Sequence, residues 1–330
     1  MKPDLVVIGH GNMMNSRSFL IQEESSLVYQ LLKEGYYVYL VNFRGNFISN
    51  SHMNITDRAT YWDFSFDQMG KYDMPAIMKE VHRASRGAKS VFLGYGMANT
   101  AAFVYASTQP EEAKKYLKGI VAWAPLVYLS HMKSLFWYAA QVIPFLEPFV
   151  KEQWQGRLGR TYFQVKKFCT KYTFQLFICN PLRIPFAGDN FGQINPEVLP
   201  LGLLSRTDPS SYSMLVHYSQ MVKSGKFEAK DLGKSADKLV YRQQSPTRYD
   251  ISKVSVPVAL YYGPNDWLTD EVDVAQLYYE LNPKVRCGMN RVKYPKFSHN
   301  DFIEGKNAST LLFKPTMETI AQMCTEKCKP

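Results

Sequence analysis

Several signals are missing from this chain. The unusually apolar stretch 134–146 is too short to span a bilayer, and Pro144, Glu147 and Pro148 interrupt it, so no transmembrane segment is expected. The five cysteines, Cys169, Cys179, Cys287, Cys324 and Cys328, include no C-x-x-C pair, which excludes the usual zinc ribbon and redox dithiol. No metal or other cofactor is implied. The net charge of +10 is not gathered into one stripe. It lies in short groups such as Lys114-Lys115, Lys166-Lys167 and the stretch 223–238, and reads either as a solvated surface or as attraction to an anionic lipid interface. No nucleic-acid motif accompanies it, and there is no internal repeat or low-complexity segment. Met1-Lys2-Pro3-Asp4 runs straight into an apolar strand, without a charged leader or a cleavage site.

One further absence bears on chemistry. Gly94-Tyr95-Gly96-Met97-Ala98 follows an apolar strand and precedes a small-residue helix, the setting of a G-x-S-x-G nucleophile elbow, but Gly96 stands where the serine would be. Asp266 follows another apolar strand in Tyr261-Tyr262-Gly263-Pro264-Asn265-Asp266. His299 comes later, in Phe297-Ser298-His299-Asn300-Asp301-Phe302. The order nucleophile position, acid, histidine is that of α/β-hydrolases.

What is present suits a globular fold. With 46% hydrophobic and 14% aromatic residues there is ample surface to bury, and 330 residues read as one domain carrying a large insertion. Apolar runs predict strands at 5–8, 37–42, 90–93, 119–122, 257–262 and 285–294. Helical patterns lie between them at 25–33, 73–83, 100–107 and 272–279. This alternation predicts an α/β class, a doubly wound, mostly parallel sheet. From Pro125 to Tyr249 the pattern changes to aromatic helical stretches broken by Pro and Gly. The expected division is therefore core at 1–125, helical cap at 126–249, and core again at 250–330, the last part carrying Asp266 and His299.

The chain resembles the acid (gastric and lysosomal) lipase family. The resemblance runs through Gly9-His10-Gly11, the stretch 35–46, Tyr61-Trp62-Asp63-Phe64-Ser65-Phe66-Asp67, Lys71-Tyr72-Asp73-Met74-Pro75-Ala76, Val121-Ala122-Trp123-Ala124-Pro125, Ser224-Gly225-Lys226-Phe227 and the stretch 262–268. It implies an α/β-hydrolase fold with an inserted helical cap. It also implies Asp266 and His299 as the triad acid and base, and Gly96 as a degenerate nucleophile position. Backbone N–H groups of Asn12 and Met97 would be the oxyanion donors, and backbone donors survive a change of side chain. Tyr95 replaces a histidine of the family pattern and Ala98 its second glycine, so three of five motif positions depart from it. His10 is expected to be structural, holding its loop through the ring nitrogens.

Further expectations follow from the resemblance. Cys169 and Cys179 would close a short loop by a disulfide, the alternative being two packed free thiols. Phe136, Trp137 and Phe145 would wall or rim a lipid pocket, the alternative being a helix packed on the core. The sequons at Asn54 and Asn307 fit a secreted or lysosomal glycoprotein. A signal sequence and two strands come first in the family, so the opening reads as a truncation or as a short form with an exposed sheet edge. The leading functional expectation is a lipase-like protein of lipid metabolism that has lost catalysis and binds lipid or fatty-acyl ligands, with peripheral contact to a lipid surface. The alternatives are an active lipase of triacylglycerols or cholesteryl esters using Asp266 and His299, and a truncated nonfunctional family member.

Overall fold

A computed structural model describes residues 4–154, 164, 167–169, 171, 184–188, 191–205 and 208–328. Its centre is a six-stranded, all-parallel sheet in the order β2-β1-β3-β4-β5-β6. The strands are β1 (Leu5–Gly9), β2 (Tyr37–Leu40), β3 (Ser90–Tyr95), β4 (Leu117–Trp123), β5 (Val258–Tyr262) and β6 (Arg286–Arg291). Among them, β1, β3 and β5 are buried at every position, which explains why they read as unbroken apolar runs: a parallel sheet covered on both faces needs no polar alternation.

Among the described residues, the helices of seven or more residues are α1 (Leu27–Lys33), α2 (Met74–Ala84), α3 (Met97–Thr108), α4 (Pro110–Tyr116), α5 (Phe136–Trp154), α6 (Tyr212–Ser224), α7 (Lys234–Tyr241), α8 (Glu271–Glu280) and α9 (Lys314–Cys324). Local chemistry places their ends. Ser26 accepts a hydrogen bond from the Tyr29 N–H to start α1, Asp270 does the same for Val272 in α8, and Gly225 closes α6 in the left-handed region.

Alternate strand residues feed two cores. Leu5, Val7, Phe92, Ile120 and Leu260 join Met78 of α2, Ala102 of α3 and Leu277 of α8 on one face. Val6, Ile8, Leu93, Val121 and Ala259 join Leu31 of α1 and Ile320 of α9 on the other. This is the doubly wound α/β arrangement that the periodicity predicted.

The strand order reverses between β1 and β3, the point at which such sheets open a crevice at their carboxyl ends. Gly9 pairs in register with Gly94, so the loop after β1 and the turn after β3 leave the sheet side by side. The strand expected at 90–93 runs on to Tyr95, because Gly94 and Tyr95 still pair with Ala122 and Trp123 of β4. The helix expected from 100 accordingly starts at Met97.

Between β4 and β5 the chain makes a helical excursion. The Tyr212 hydroxyl of α6 donates to the Ile143 carbonyl of α5 at 2.8 Å, and Lys230 bridges to Glu147 of α5 at 2.8 Å. The excursion is anchored to the core where Ser211 Oγ donates to the Trp62 carbonyl at 2.7 Å.

The cysteines supply a link that their spacing does not announce. Cys287 of β6 is bonded to Cys328 beyond α9, closing a 41-residue separation with Cα atoms 5.5 Å apart. Cys169 is disulfide-bonded, and Cys179 lies outside the described residues. Cys324 is a free thiol, pushed up to about 12 chiefly by burial. Among the described residues no helix is long and apolar enough to cross a membrane.

Candidate active site

The β3–α3 turn is held in a shape that favours glycine. Gly96 has φ 54° and ψ −113°, its N–H donates to the Trp123 carbonyl at 3.1 Å, and its carbonyl accepts from the Asn99 N–H at 3.0 Å. A side chain there would be strained by its backbone angles but not by its neighbours. A Cβ on Gly96 would lie 3.7 Å from Leu126 Cδ1, 3.8 Å from His299 Nε2 and 3.9 Å from Gly11 Cα, all ordinary contacts.

His299 and Asp266, 33 residues apart, meet here. Their Nδ1 and Oδ2 atoms are 2.7 Å apart, and the residues are 7% and 3% exposed. Since a carboxylate only accepts, Nδ1 carries the proton and Nε2 faces position 96 with its lone pair. The other carboxylate oxygen of Asp266 accepts from the Leu268 and Thr269 N–H groups at 2.8 and 2.9 Å, which fixes the plane of the acid. Nε2 makes no hydrogen bond within the described residues.

The second wall is the loop after β1. His10 is buried there: Nδ1 donates to the Gly11 carbonyl at 2.8 Å, and Nε2 accepts from the Phe43 N–H at 3.1 Å. Burial holds its ring down at about 4, so it is neutral and structural. The Asn12 side-chain oxygen accepts from Met13 N–H at 3.0 Å and from Ser210 Oγ at 2.8 Å. The backbone N–H groups of Asn12 and of Met97, the first residue of α3, have no acceptor within the described residues.

Such a set can orient an imidazole, and it leaves two backbone N–H groups without an acceptor among the described residues. It lacks a covalent nucleophile at the turn.

Comparison with known proteins bears on what this arrangement is. The gastric triacylglycerol lipase of Rattus norvegicus is 30% identical over 330 residues, covering 97% of this chain and 81% of that protein. The chain belongs to the acid lipase family. Human lipase member K is 28% identical over 319 residues, covering 94% of this chain and 77% of that protein. No family model matches the chain. Among solved structures, the monoacylglycerol lipase of Paleococcus ferrophilus aligns with a TM-score of 0.57 at 16% identity, covering 98% of this chain and 96% of that one. The soluble variant of Saccharomyces cerevisiae monoglyceride lipase gives 0.55 at 14%, covering 97% and 86%. Both likenesses are of fold, and both are to α/β-hydrolases.

Tyr95 and Ala98 each have a partner across the site. Tyr95 is buried and its hydroxyl donates to the His299 carbonyl at 2.9 Å, with the two rings 4.9 Å apart, so this side chain tethers the histidine loop. The Ala98 methyl is accommodated because Gly9 opposite has no side chain: a Cβ there would come within 2.8 Å of it. Neither contact is visible in sequence, because each joins strands or loops far apart in the chain. The Ser210 contact to Asn12 was missed for the same reason.

The remaining site expectations fall as follows. Phe136 is half-buried against the core, whereas Trp137 and Phe145 are 38% and 72% exposed on α5. Lys223 Nζ stands 5.0 Å from the Phe145 ring centroid. Asn54 and Asn307 are both exposed. Among the described residues no cluster of three or more metal-ligating side chains occurs.

Proposed function

We propose that this lipase-family protein binds lipid or fatty-acyl ligands at the crevice beside Gly96 and does not hydrolyse esters. The observation that carries the proposal is a glycine at the turn facing His299 Nε2, with the Cβ position empty. Gly96 is a nucleophile position without its nucleophile, Asp266 and His299 are the remaining acid and base, and Asn12 and Met97 are the oxyanion donors. Without an attacking oxygen no acyl-enzyme forms. In triads of this type, removing the nucleophile costs about a millionfold in rate, leaving roughly a thousandfold to ten-thousandfold over water. The rat relative is a triacylglycerol lipase, which makes acylglycerols and their acyl chains the ligand class.

The aromatic face of α5 supports peripheral contact with a lipid surface, since Tyr138, Val142, Phe145 and Phe149 are all exposed on one helix. The two exposed sequons fit a secreted or lysosomal glycoprotein, with Asn54 and Asn307 as the attachment sites.

A second reading is favoured by the intact His299–Asp266 pair: a water in the vacated space is activated by Nε2 and attacks a bound ester directly. Purified protein incubated with a short-chain nitrophenyl ester and a long-chain acylglycerol separates the two. The expected result is no turnover above a His299→Ala control. Turnover abolished in that control establishes the water route and ends the inactive reading. Mass spectrometry of extracted, copurified lipid tests the binder, and a well-folded chain that is repeatedly empty counts against it.

A further inference from the structure

We infer that the vacated nucleophile position makes this crevice a receptor for a free long-chain carboxylate, one acid oxygen standing where a serine hydroxyl would be. The inference rests on the lipid-binding reading above and narrows its ligand from any acyl chain to an unesterified acid.

Two separate sets of polar groups flank position 96. The first is a backbone N–H pair, Asn12 in the loop after β1 and Met97 at the start of the 12-residue helix α3. The second is His299 Nε2, more than nine-tenths buried, aimed at position 96 and without a partner among the described residues. Between them is room for a small group, bounded by Leu126 Cδ1, His299 Nε2 and Gly11 Cα at 3.7 to 3.9 Å from the Cβ position. A serine would fill that room with its own oxygen. Glycine leaves it for an oxygen of the ligand.

A carboxylate has two equivalent oxygens and can satisfy both sets at once. One accepts from the backbone pair, and the other accepts from Nε2–H of the imidazolium. An ester satisfies only the first. Its alkoxy oxygen is uncharged, carries carbon, and would bring that carbon against Leu126 and Gly11.

The proton balance follows from the tautomer. Nδ1–H is committed to Asp266, so pairing with a carboxylate requires a proton on Nε2. An un-ionised acid supplies it by transfer. An ionised acid in neutral solution requires one proton from solvent, so binding takes up a proton and weakens as pH rises. Among the described residues, two ionisable groups contact the ring: Asp266 from the β5–α8 loop, at Nδ1, and Tyr95 at the end of β3, with its ring 4.9 Å away. Asp266 holds the Nδ1 side of the ring at 2.7 Å. Tyr95 is spent on the His299 carbonyl, and Asp301 accepts from Ser298 N–H at 2.6 Å.

Isothermal titration calorimetry of the whole chain with oleate and with methyl oleate, in buffers of different ionisation heat, tests the inference. The expected result is oleate binding at least about tenfold tighter than the methyl ester, a difference of about 1.4 kcal/mol. Net proton uptake should accompany oleate binding at about pH 8, and oleate affinity should fall as pH rises. Gly96→Ala and His299→Gln should each erase the preference for the acid. If His299→Gln does not fold, Gly96→Ala and the pH dependence still decide. Equal affinity for the two ligands, or oleate affinity indifferent to pH, overturns the carboxylate inference and leaves the lipid-binding reading standing. Failure of a folded chain to bind either ligand overturns both.

Discussion

At the scale of single residues, position 96 separates scaffold from chemistry. Gly96 keeps a turn with φ 54° that costs a serine about 1 to 3 kcal/mol. Gly96→Ser is therefore expected to fold with slightly lower stability and to place Oγ beside His299 Nε2. It should hydrolyse nitrophenyl butyrate in a His299-dependent way and take up a fluorophosphonate probe that leaves the natural chain unlabelled. A folded Gly96→Ser chain with neither property would mean that the donors at Asn12 and Met97 no longer aim at one point. Tyr95 is open to a parallel test. Tyr95→Phe keeps the ring but strands the His299 carbonyl, so a loss of about 1 to 3 kcal/mol is expected in urea denaturation. An unchanged midpoint would show that water replaces the hydroxyl at no cost.

At the scale of elements, the site is made where two loops leave adjacent strands in register. Gly9 and Ala98 share one close approach, so the bulk added on α3 is absorbed by the strand end opposite. The Cys287–Cys328 bond works at the far edge, tying β6 to the segment after α9. For a loop of 41 residues, the chain-entropy argument assigns it about 4 kcal/mol. Cys328→Ser should therefore lower the denaturation free energy by several kcal/mol, read by urea titration. A change below about 1 kcal/mol would show that packing of β6 on β5 already restrains that edge.

Over the whole molecule, two buried neutral histidines make stability depend on pH. His10 is held at about 4 by burial, and burial likewise lowers His217, whose Nε2 donates to the Glu228 carbonyl while its ring stacks on Phe66. Asp67 acts against this shift, and Lys230 and Lys71 add to it. The unfolded chain binds protons at these histidines near pH 6.5 and the folded one only lower, so stability is full above about pH 6.5 and lost as pH falls toward 4. His10 alone accounts for a fall of about 3 kcal/mol, measurable by chemical denaturation at several pH values. A flat profile across that window would remove the neutral-histidine assignment.

Reading the sequence alone located the six strands, the α/β class and the family, and it singled out Asp266, His299 and Gly96, which the fold brings together. Each depends on local information: burial on both faces shows as an apolar run, and a turn shows as its glycines. Strand ends moved by a few residues because in-register pairing with a neighbour, as at Gly94 and Tyr95, is not local. Only the tertiary structure decided that an imidazole nitrogen faces an empty Cβ position at 3.8 Å, that Tyr95 holds the histidine loop, that Ser210 reaches Asn12, and that Cys287 pairs with Cys328. These contacts join segments 41 to 204 residues apart, brought together by strand order and burial, and no spacing rule encodes such a meeting.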